Sequence, residues 1–382
     1  RSTSSADLAI STIPGVRPLY LHIGLQKSGS SYLQSTFWGS RAELRRQGME
    51  LVPGSVDETF ELMLDVTGQL DPAIDRPRAA GALARLPEQL AACPSDRVLI
   101  TEESFSAADA DQIRRLGAAL DGFDVRVVVT ARDLGRAIPS AWQQALRRGV
   151  RQSLDDFVER AQQRWGEPGA RLANQNLAAI LDRWAALVGP ESVHVVVVPQ
   201  RGAPRTALLE RFCAAVEVEP DALATEVAVR NESIGRVQAE VLRRVNQQLP
   251  RELIRRDLRH VTKSYFAGRV LGAQGGEPIT LSRAHESWCR QRAEEFIEHT
   301  AALGCVVHGD LGELRPAADS FSDAPAIAEQ EIAASATTAL ARMLEDRLRD
   351  VDGRQRAARQ ARQTRQAPTA DRGAWWRRRR HS

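Results

Sequence analysis

Short apolar, β-branched runs alternate with longer helical patterns through the first half of this chain. Val125–Ala131 (VRVVVTA) and Val193–Val198 (VHVVVV) are almost continuously apolar, as expected for parallel strands that are covered on both faces. Leu19–Ile23 and Arg97–Thr101 are further strand patterns. Helical patterns lie between and after these strands, at Tyr32–Gln47, Asp109–Leu120, Ala137–Arg148, Gln175–Val188 and Thr206–Val216. This alternation predicts an α/β fold with an open parallel sheet and helices on both of its faces.

The second half of the chain is predicted to be mostly helical. Helical patterns run from Asn231 to about Ala302 without an internal repeat, and Gly272–Pro278 (GAQGGEP) reads as a flexible loop. Ile327–Arg365 is a polar helix rich in Arg and Ala. We therefore divide the chain into an N-terminal extension (1–17), a main domain (18–320) that includes a helical region at about 225–305, and a polar helix with an Arg-rich tail (321–382).

Composition narrows the class of protein and its compartment. The hydrophobic fraction of 43% and the charged fraction of 26% are ordinary for a soluble globular protein. No segment approaches the roughly 18–20 apolar residues of a membrane span, and the first residues lack the layout of a secretory signal. The four cysteines are scattered, which argues against a zinc site or a disulfide scaffold and fits a reducing compartment. We expect a cytoplasmic protein.

Lysine is nearly absent from the chain. Of its 52 basic Lys and Arg residues, only Lys27 and Lys263 are lysines, a usage typical of a GC-rich genome. A lysine is then expected to remain where a compact ammonium cannot be replaced by a planar guanidinium. Lys27 lies in a Gly/Ser-rich loop. For Lys263, which precedes the glycine loop, our first interpretation is a solvated helix face and our second is a lid that closes on a phosphate.

The loop 24–31 (GLQKSGSS) joins the first strand pattern to a helical pattern. A strand, a loop of small residues and a helix N-terminus form a cradle for an anion, because backbone N–H groups and the helix dipole face it. The ATP-binding version of this loop requires GxxxxGK[ST], with Lys directly after the last Gly. Here Lys27 precedes Gly29, which disfavours an ATPase or an ordinary kinase.

A second motif follows the strand Val125–Ala131. Arg132 comes directly after that strand, and Ser140 lies eight residues later on the next predicted helix. A guanidinium and a hydroxyl can both donate hydrogen bonds to one dianionic phosphate. Both motifs lie at carboxyl ends of strands in one predicted sheet, which is where open α/β folds bind their ligands.

The two motifs together resemble those of sulfotransferases that use 3′-phosphoadenosine-5′-phosphosulfate (PAPS), in particular bacterial members of similar length. The loop resembles the family's PKTGTT or PKSGTT, with Gln in place of Pro, and the resemblance spans Leu19 to about Trp142. It implies a P-loop-like open parallel sheet flanked by helices, to which the sequence pattern adds a helical C-terminal region and a basic tail. It also implies that Arg132 and Ser140 bind the 3′-phosphate, while the 5′-phosphosulfate is bound by the loop residues Gln26, Lys27, Ser28, Gly29, Ser30 and Ser31.

A sulfotransferase also needs a general base to take the proton of the acceptor hydroxyl. Glu102 and Glu103 follow the strand Arg97–Thr101 and reach the same sheet edge as Lys27. The resemblance implies a Glu base in several subgroups and a His base in the cytosolic small-molecule enzymes. Glu102 is our first candidate and Glu103 the second, because the register is open, and His22 is the rival.

The resemblance also bears on the acceptor and on metals. Glu-type bases accompany sugar acceptors in the resembling subgroups, so we expect a carbohydrate or glycolipid acceptor. No metal is expected, because Lys27 and backbone N–H groups can stabilise the charge that develops on oxygen during sulfuryl transfer. The product of the donor would be adenosine 3′,5′-bisphosphate.

Two other functions stay open at this point. A P-loop phosphotransferase acting on a small metabolite would need ATP and Mg²⁺, and a non-catalytic relative would only bind adenosine bisphosphate. The basic tail Gly373–Ser382 (GAWWRRRRHS) is read either as a solvated segment or as a weak contact with an anionic membrane surface. Specific binding of nucleic acid is not expected.

Overall fold

A six-stranded, all-parallel sheet forms the centre of the structure, a computed structural model. The structure describes residues 16–366 apart from 168, 225–232, 254–257 and 259, so the predicted basic tail and residues 1–15 lie outside the described residues. The strands lie in the order β2-β3-β1-β4-β5-β6. Their bounds are β1 Arg17–His22, β2 Met49–Leu51, β3 Arg97–Thr101, β4 Phe123–Ala131, β5 Val193–Val197 and β6 Val306–His308.

Helices cover both faces of this sheet. Alternate residues of β1 show this, because Leu19 and Leu21 face one apolar core while Tyr20 faces the other. Helices α1, α2 and α9 pack on the Tyr20 side, and the remaining helices contribute to the core on the Leu19 side. The helices are α1 Ser30–Gly39, α2 Arg41–Arg46, α3 Val56–Thr67, α4 Ala82–Ala91, α5 Ala110–Ala119, α6 Leu134–Arg147, α7 Leu154–Gln163, α8 Leu177–Val188, α9 Ala207–Val216, α10 Arg236–Gln248, a π-helix His260–Leu271, α11 Glu286–Leu303 and α12 Glu329–Gln366.

The helical C-terminal region is fastened to the end of α6. The Asn246 side chain on α10 donates to the carbonyl of Leu146 at 2.7 Å, and the Thr262 hydroxyl on the π-helix donates to the carbonyl of Arg147 at 3.2 Å. An ion pair between Arg244 and Glu329, with an N–O distance of 2.6 Å, joins α10 to α12. None of the described helices combines the length and the apolarity needed to cross a bilayer.

The predicted fold class, an open parallel α/β sheet with flanking helices, is confirmed, and several details differ from the sequence prediction. Helices α3, α4 and α7 were not predicted. The helix predicted at Tyr32–Gln47 is two helices, because the chain leaves helical geometry at Ser40, whose hydroxyl accepts a hydrogen bond from Ala224 N at 2.9 Å. The edge strands β2 and β6 were not predicted. Each has three residues, too few for a strand period to emerge from the sequence.

Gly135 provides a test of how α6 packs against the segment that follows β6. A Cβ atom at Gly135 would lie 2.7 Å from Ser320 Cβ and 3.0 Å from Pro316 Cβ, whereas one at Gly39 would meet no described atom within 4 Å. We expect Gly135→Ala to lower the free energy of unfolding by about 1–3 kcal/mol through overpacking. Gly39→Ala should be neutral or stabilising by up to about 1 kcal/mol. Urea unfolding measures both, and equal shifts would contradict this packing.

Candidate anion-binding and catalytic site

The loop after β1 folds back onto the carboxyl end of β4. The Leu25 N–H donates to the carbonyl of Thr130 at 2.8 Å. The Ser28 hydroxyl contacts the Leu25 carbonyl and lies 2.6 Å from Thr130 Oγ1. Lys27 adopts φ +71°, a left-handed conformation that is unfavourable for a residue with a side chain. The loop is therefore held in a tight turn that is anchored from beneath by a strand of the sheet.

Helix α1 begins at this loop with its N-terminus available to a ligand. Its N-cap is Gly29, with φ +88°, and a Cβ atom there would lie 2.5 Å from Leu208 Cδ2. Glycine is thus required both by the backbone and by the close approach of α9. Among the described residues no side chain caps α1, and its first turn holds no acidic residue. Its free N–H groups, starting at Ser30 and Ser31, are suited to bind an anion.

Arg132 brings the second motif to the same place. Its Nη1 donates to the carbonyl of Lys27 at 2.9 Å, and its Nε is shielded from solvent without a hydrogen-bond partner among the described residues. Burial, and then the neighbouring Arg136, lower the pKa of Arg132 to about 10. A shielded guanidinium nitrogen without an acceptor is unfavourable, and a bound anion would satisfy it. Arg136 is paired with Asp133 through its Nε, and its Nη2 is likewise shielded without a partner among the described residues.

The two candidate carboxylates have different surroundings. Glu102 Oε1 accepts a hydrogen bond from the Ser104 N–H at 2.9 Å, so this side chain caps the short 3₁₀ turn Glu103–Ala107. Glu103 instead lies near the Ser30 hydroxyl and Lys27. Burial raises the pKa of Glu103, while Ser30 and Lys27 lower it less. Glu103 is therefore the carboxylate that faces the loop.

A group of basic side chains surrounds this carboxylate. Burial lowers the pKa of Lys27, Glu103 opposes that change, and Arg147, Lys263 and Arg132 reinforce it. The positive charges of Arg148, at the end of α6, and of Lys263 also lower the pKa of Glu103, by less than burial raises it. Lys263 is exposed, as expected for a solvated lysine, yet it lies close enough to affect both Lys27 and Glu103. The two lysines of the chain thus belong to one site.

His22 lies beneath the loop and is fully buried. Its Nδ1 is 2.8 Å from Thr101 Oγ1 on β3, its Nε2 is 3.4 Å from Thr130 Oγ1 on β4, and its ring packs edge-on against Phe212. Burial lowers the pKa of His22 to about 3, so the imidazole is neutral at physiological pH. A histidine of this kind is a weak base whose hydrogen bonds join three neighbouring strands.

Other residues at the site were not singled out from the sequence. Gln175 is buried and donates from Nε2 to the carbonyl of Gln26 at 2.8 Å, which fixes the loop from the opposite side. Thr130 and Thr101 hold Ser28 and His22 through their hydroxyls. Ser140, which the sequence did single out, is half-buried on α6, the helix that begins just after Arg132. These residues lie far in the sequence from the residues that they contact. Only Thr101 and Thr130 could have been suspected from the sequence, because each lies in a predicted strand.

Taken together, the site can hold a ligand with more than one anionic group. The uncapped N-terminus of α1, Lys27 and the unsatisfied Nε of Arg132 all favour negative charge. These features fit a nucleotide such as PAPS. Among the described residues, no group of three or more His, Cys, Asp or Glu side chains is arranged to hold a metal ion.

Comparison with known proteins gives one similar structure. No protein-family model matches the chain, and no curated protein matches it. The crystal structure of a sulfotransferase from Alicyclobacillus acidocaldarius is similar with a TM-score of 0.36 and 16% sequence identity, covering 63% of this chain and 100% of the other. The case for function therefore rests on the residues of the site.

The hydrogen bonds of His22 lead to a prediction about its protonation. Because burial holds its pKa near 3, its imidazole resonances should not shift between pH 5 and 8 in NMR spectra of the folded protein. The same resonances in the urea-unfolded chain should titrate near pH 6.5. A folded-state titration midpoint between 6 and 7 would contradict the buried, neutral histidine.

Proposed function

We propose that this protein is a sulfotransferase that moves a sulfuryl group from PAPS to an acceptor hydroxyl. The observation that carries the proposal is the hydrogen bond from Arg132 to the Lys27 carbonyl, 2.9 Å long, with Arg132 Nε left unsatisfied. It joins a cradle after β1 to a guanidinium after β4, so one ligand with two separated anionic groups satisfies both. PAPS has two such groups, the 5′-phosphosulfate and the 3′-phosphate, whereas a nucleotide without a 3′-phosphate lacks the second.

Residues of both motifs would bind the donor. The N–H groups at the start of α1, the Lys27 ammonium and the loop hydroxyls would hold the 5′-phosphosulfate. The Arg132 guanidinium, together with the Ser140 hydroxyl, would hold the 3′-phosphate. When bound, the donor supplies the sulfuryl group, whose bond to the 5′-phosphate breaks as the acceptor oxygen bonds to sulfur. Lys27, half-buried, is suited to stabilise negative charge on the oxygens at this point.

The acceptor hydroxyl loses its proton, and Glu103 is the base that the surroundings support best. Burial raises the pKa of both carboxylates, which favours proton acceptance, and Glu103 is distinguished by its position near Lys27. The Ser30 hydroxyl and Lys27 orient the carboxylate at the cradle. Glu102, our first candidate from the sequence, has one oxygen engaged by the Ser104 N–H. His22 would act through the hydroxyls of Thr101 and Thr130 to support the strands.

The rival functions are less consistent with the same residues. A phosphotransferase that uses ATP would place Lys after Gly29, where this chain has Ser30. A protein that only binds adenosine bisphosphate has no need for a half-buried carboxylate near Lys27. The acceptor class, a carbohydrate or glycolipid, and the cytoplasmic location are part of the proposal and stay predictions.

The two adjacent carboxylates form a matched pair for testing the base. With labelled PAPS and a panel of hydroxyl acceptors, Glu103→Gln should lower turnover by about 10²- to 10⁴-fold, whereas Glu102→Gln should have a mild effect. Because the pKa of Glu103 is raised, wild-type kcat/KM should fall as the pH drops through a value above that of an ordinary glutamate.

Two results would contradict this assignment. If Glu102→Gln abolishes turnover while Glu103→Gln retains it, the first carboxylate is the base and the mechanism otherwise stands. If the wild-type protein transfers no sulfuryl group to any acceptor of the panel, yet phosphorylates one with ATP and Mg²⁺, the proposed function itself is wrong.

A further inference from the structure

An apolar groove runs between α10, the π-helix His260–Leu271 and α12. Its volume is about 530 Å³, within the roughly 300–1,000 Å³ of small-molecule sites. No charged side chain lines it among the described residues, and its polar members are Thr262 and Tyr265. The apolar lining includes Val241, Val245, Val261, Phe266, Leu340 and Met343.

Of the nine large apolar side chains that are exposed in the described chain, four line this groove and three more continue along α12. Large exposed apolar side chains lie on the rim and along the adjoining face of α12, at Leu253, Val261, Leu340, Met343, Leu344, Leu348 and Val351. The two others, Val56 and Phe60, lie on α3. A contiguous group of exposed apolar side chains indicates a binding site, whereas single apolar side chains spread over a surface do not.

One end of the groove lies next to the last residues of α6. Thr262 lines the groove, and its hydroxyl donates to the carbonyl of Arg147 at the end of α6. The next residue, Lys263, lies close enough to Glu103 and Lys27 to affect the pKa of both. The same turn of the π-helix therefore separates an apolar groove from a group of basic side chains around the proposed base.

We propose that the groove binds the alkyl chain of an amphiphilic acceptor whose hydroxyl-bearing headgroup lies at Glu103. This inference rests on the proposed function and narrows its acceptor class. The described part of the lining carries no charge and suits a hydrocarbon chain, because a polar occupant would find few hydrogen-bond partners among those residues. The basic residues at the inner end, Lys263 among them, mark where the polar headgroup belongs. Sulfuryl transfer would then proceed to that headgroup's hydroxyl, with its proton passing to Glu103.

The test uses the full chain and a series of alkyl β-glucosides from methyl to octyl, each below its micelle concentration. KM in the transfer assay is measured, together with Kd by calorimetry in the presence of saturating adenosine 3′,5′-bisphosphate. For the wild type we expect both constants to fall by about two- to fourfold per added methylene, the upper value corresponding to full burial. The Kd series needs no turnover, so it reports on the groove alone.

The variants use exposed groove residues so that the fold is retained. Val261→Gln with Leu340→Gln should flatten the dependence on chain length. The matched control, Val56→Gln with Phe60→Gln on α3, should leave it unchanged. Chain-length-dependent Kd without any transfer would support the groove and overturn the proposed function. Transfer without chain-length dependence in either constant would overturn the groove and leave the function standing.

Two other occupants are distinguished in the same experiment. If the alkyl series binds only after Trp375→Ala with Trp376→Ala, the chain's own tail covers the groove and the proposal is overturned. If light scattering shows a wild-type dimer that the groove variant converts to a monomer, a second copy covers it, which also overturns the proposal. A monomeric wild type with an unaltered tail and a steep Kd series supports it.

Discussion

The hydrogen bond from Arg132 to the Lys27 carbonyl is the interaction on which the site depends. It joins the end of β4 to a loop that follows β1, and it restrains Lys27 in a left-handed backbone conformation. Such a conformation costs on the order of 1 kcal/mol or more for a residue other than glycine, and it persists where the surroundings enforce it. The same guanidinium keeps one shielded nitrogen unsatisfied, which prepares the site for an anion.

The sheet provides the rigid base that this arrangement needs. Parallel strands β3, β1 and β4 are neighbours, so their carboxyl ends deliver Glu103, the loop and Arg132 to one edge. Hydroxyls of Thr101 and Thr130, with His22 between them, join the three strands beneath the loop. Because His22 stays neutral when buried, it adds hydrogen bonds there without placing an unpaired charge beneath the loop.

The sequence predicted the parts of the structure that are encoded locally. The apolar runs of β1, β3, β4 and β5, and the loop that connects β1 to α1, were recognisable because buried strands and Gly/Ser turns have strong local signatures. The contacts of Gln175 with Gln26, and of Arg132 with Lys27, join segments more than a hundred residues apart. No local pattern specifies such pairs.

The choice between Glu102 and Glu103 shows the same limit. Both follow β3, and which of them faces the loop depends on how the chain turns into the 3₁₀ segment after the strand. Lys263 was conspicuous in the sequence through the scarcity of lysine, but its place beside Lys27 follows from the packing of the π-helix on α6. The composition singled out Lys263, but its proximity to Lys27 can be seen only in the tertiary structure.

The most direct measurement is calorimetric binding of adenosine 3′,5′-bisphosphate and adenosine 5′-monophosphate to the wild type, to Arg132→Gln and to Arg201→Gln. Arg201 is a nearby, largely exposed arginine paired with Asp319 and serves as the matched control. We expect the wild type to prefer the bisphosphate, and we expect Arg132→Gln to weaken bisphosphate binding by about 1.5–3 kcal/mol more than it weakens monophosphate binding. Arg201→Gln should resemble the wild type. Equal affinity of the wild type for both nucleotides, or equal losses for both in Arg132→Gln, would contradict the account.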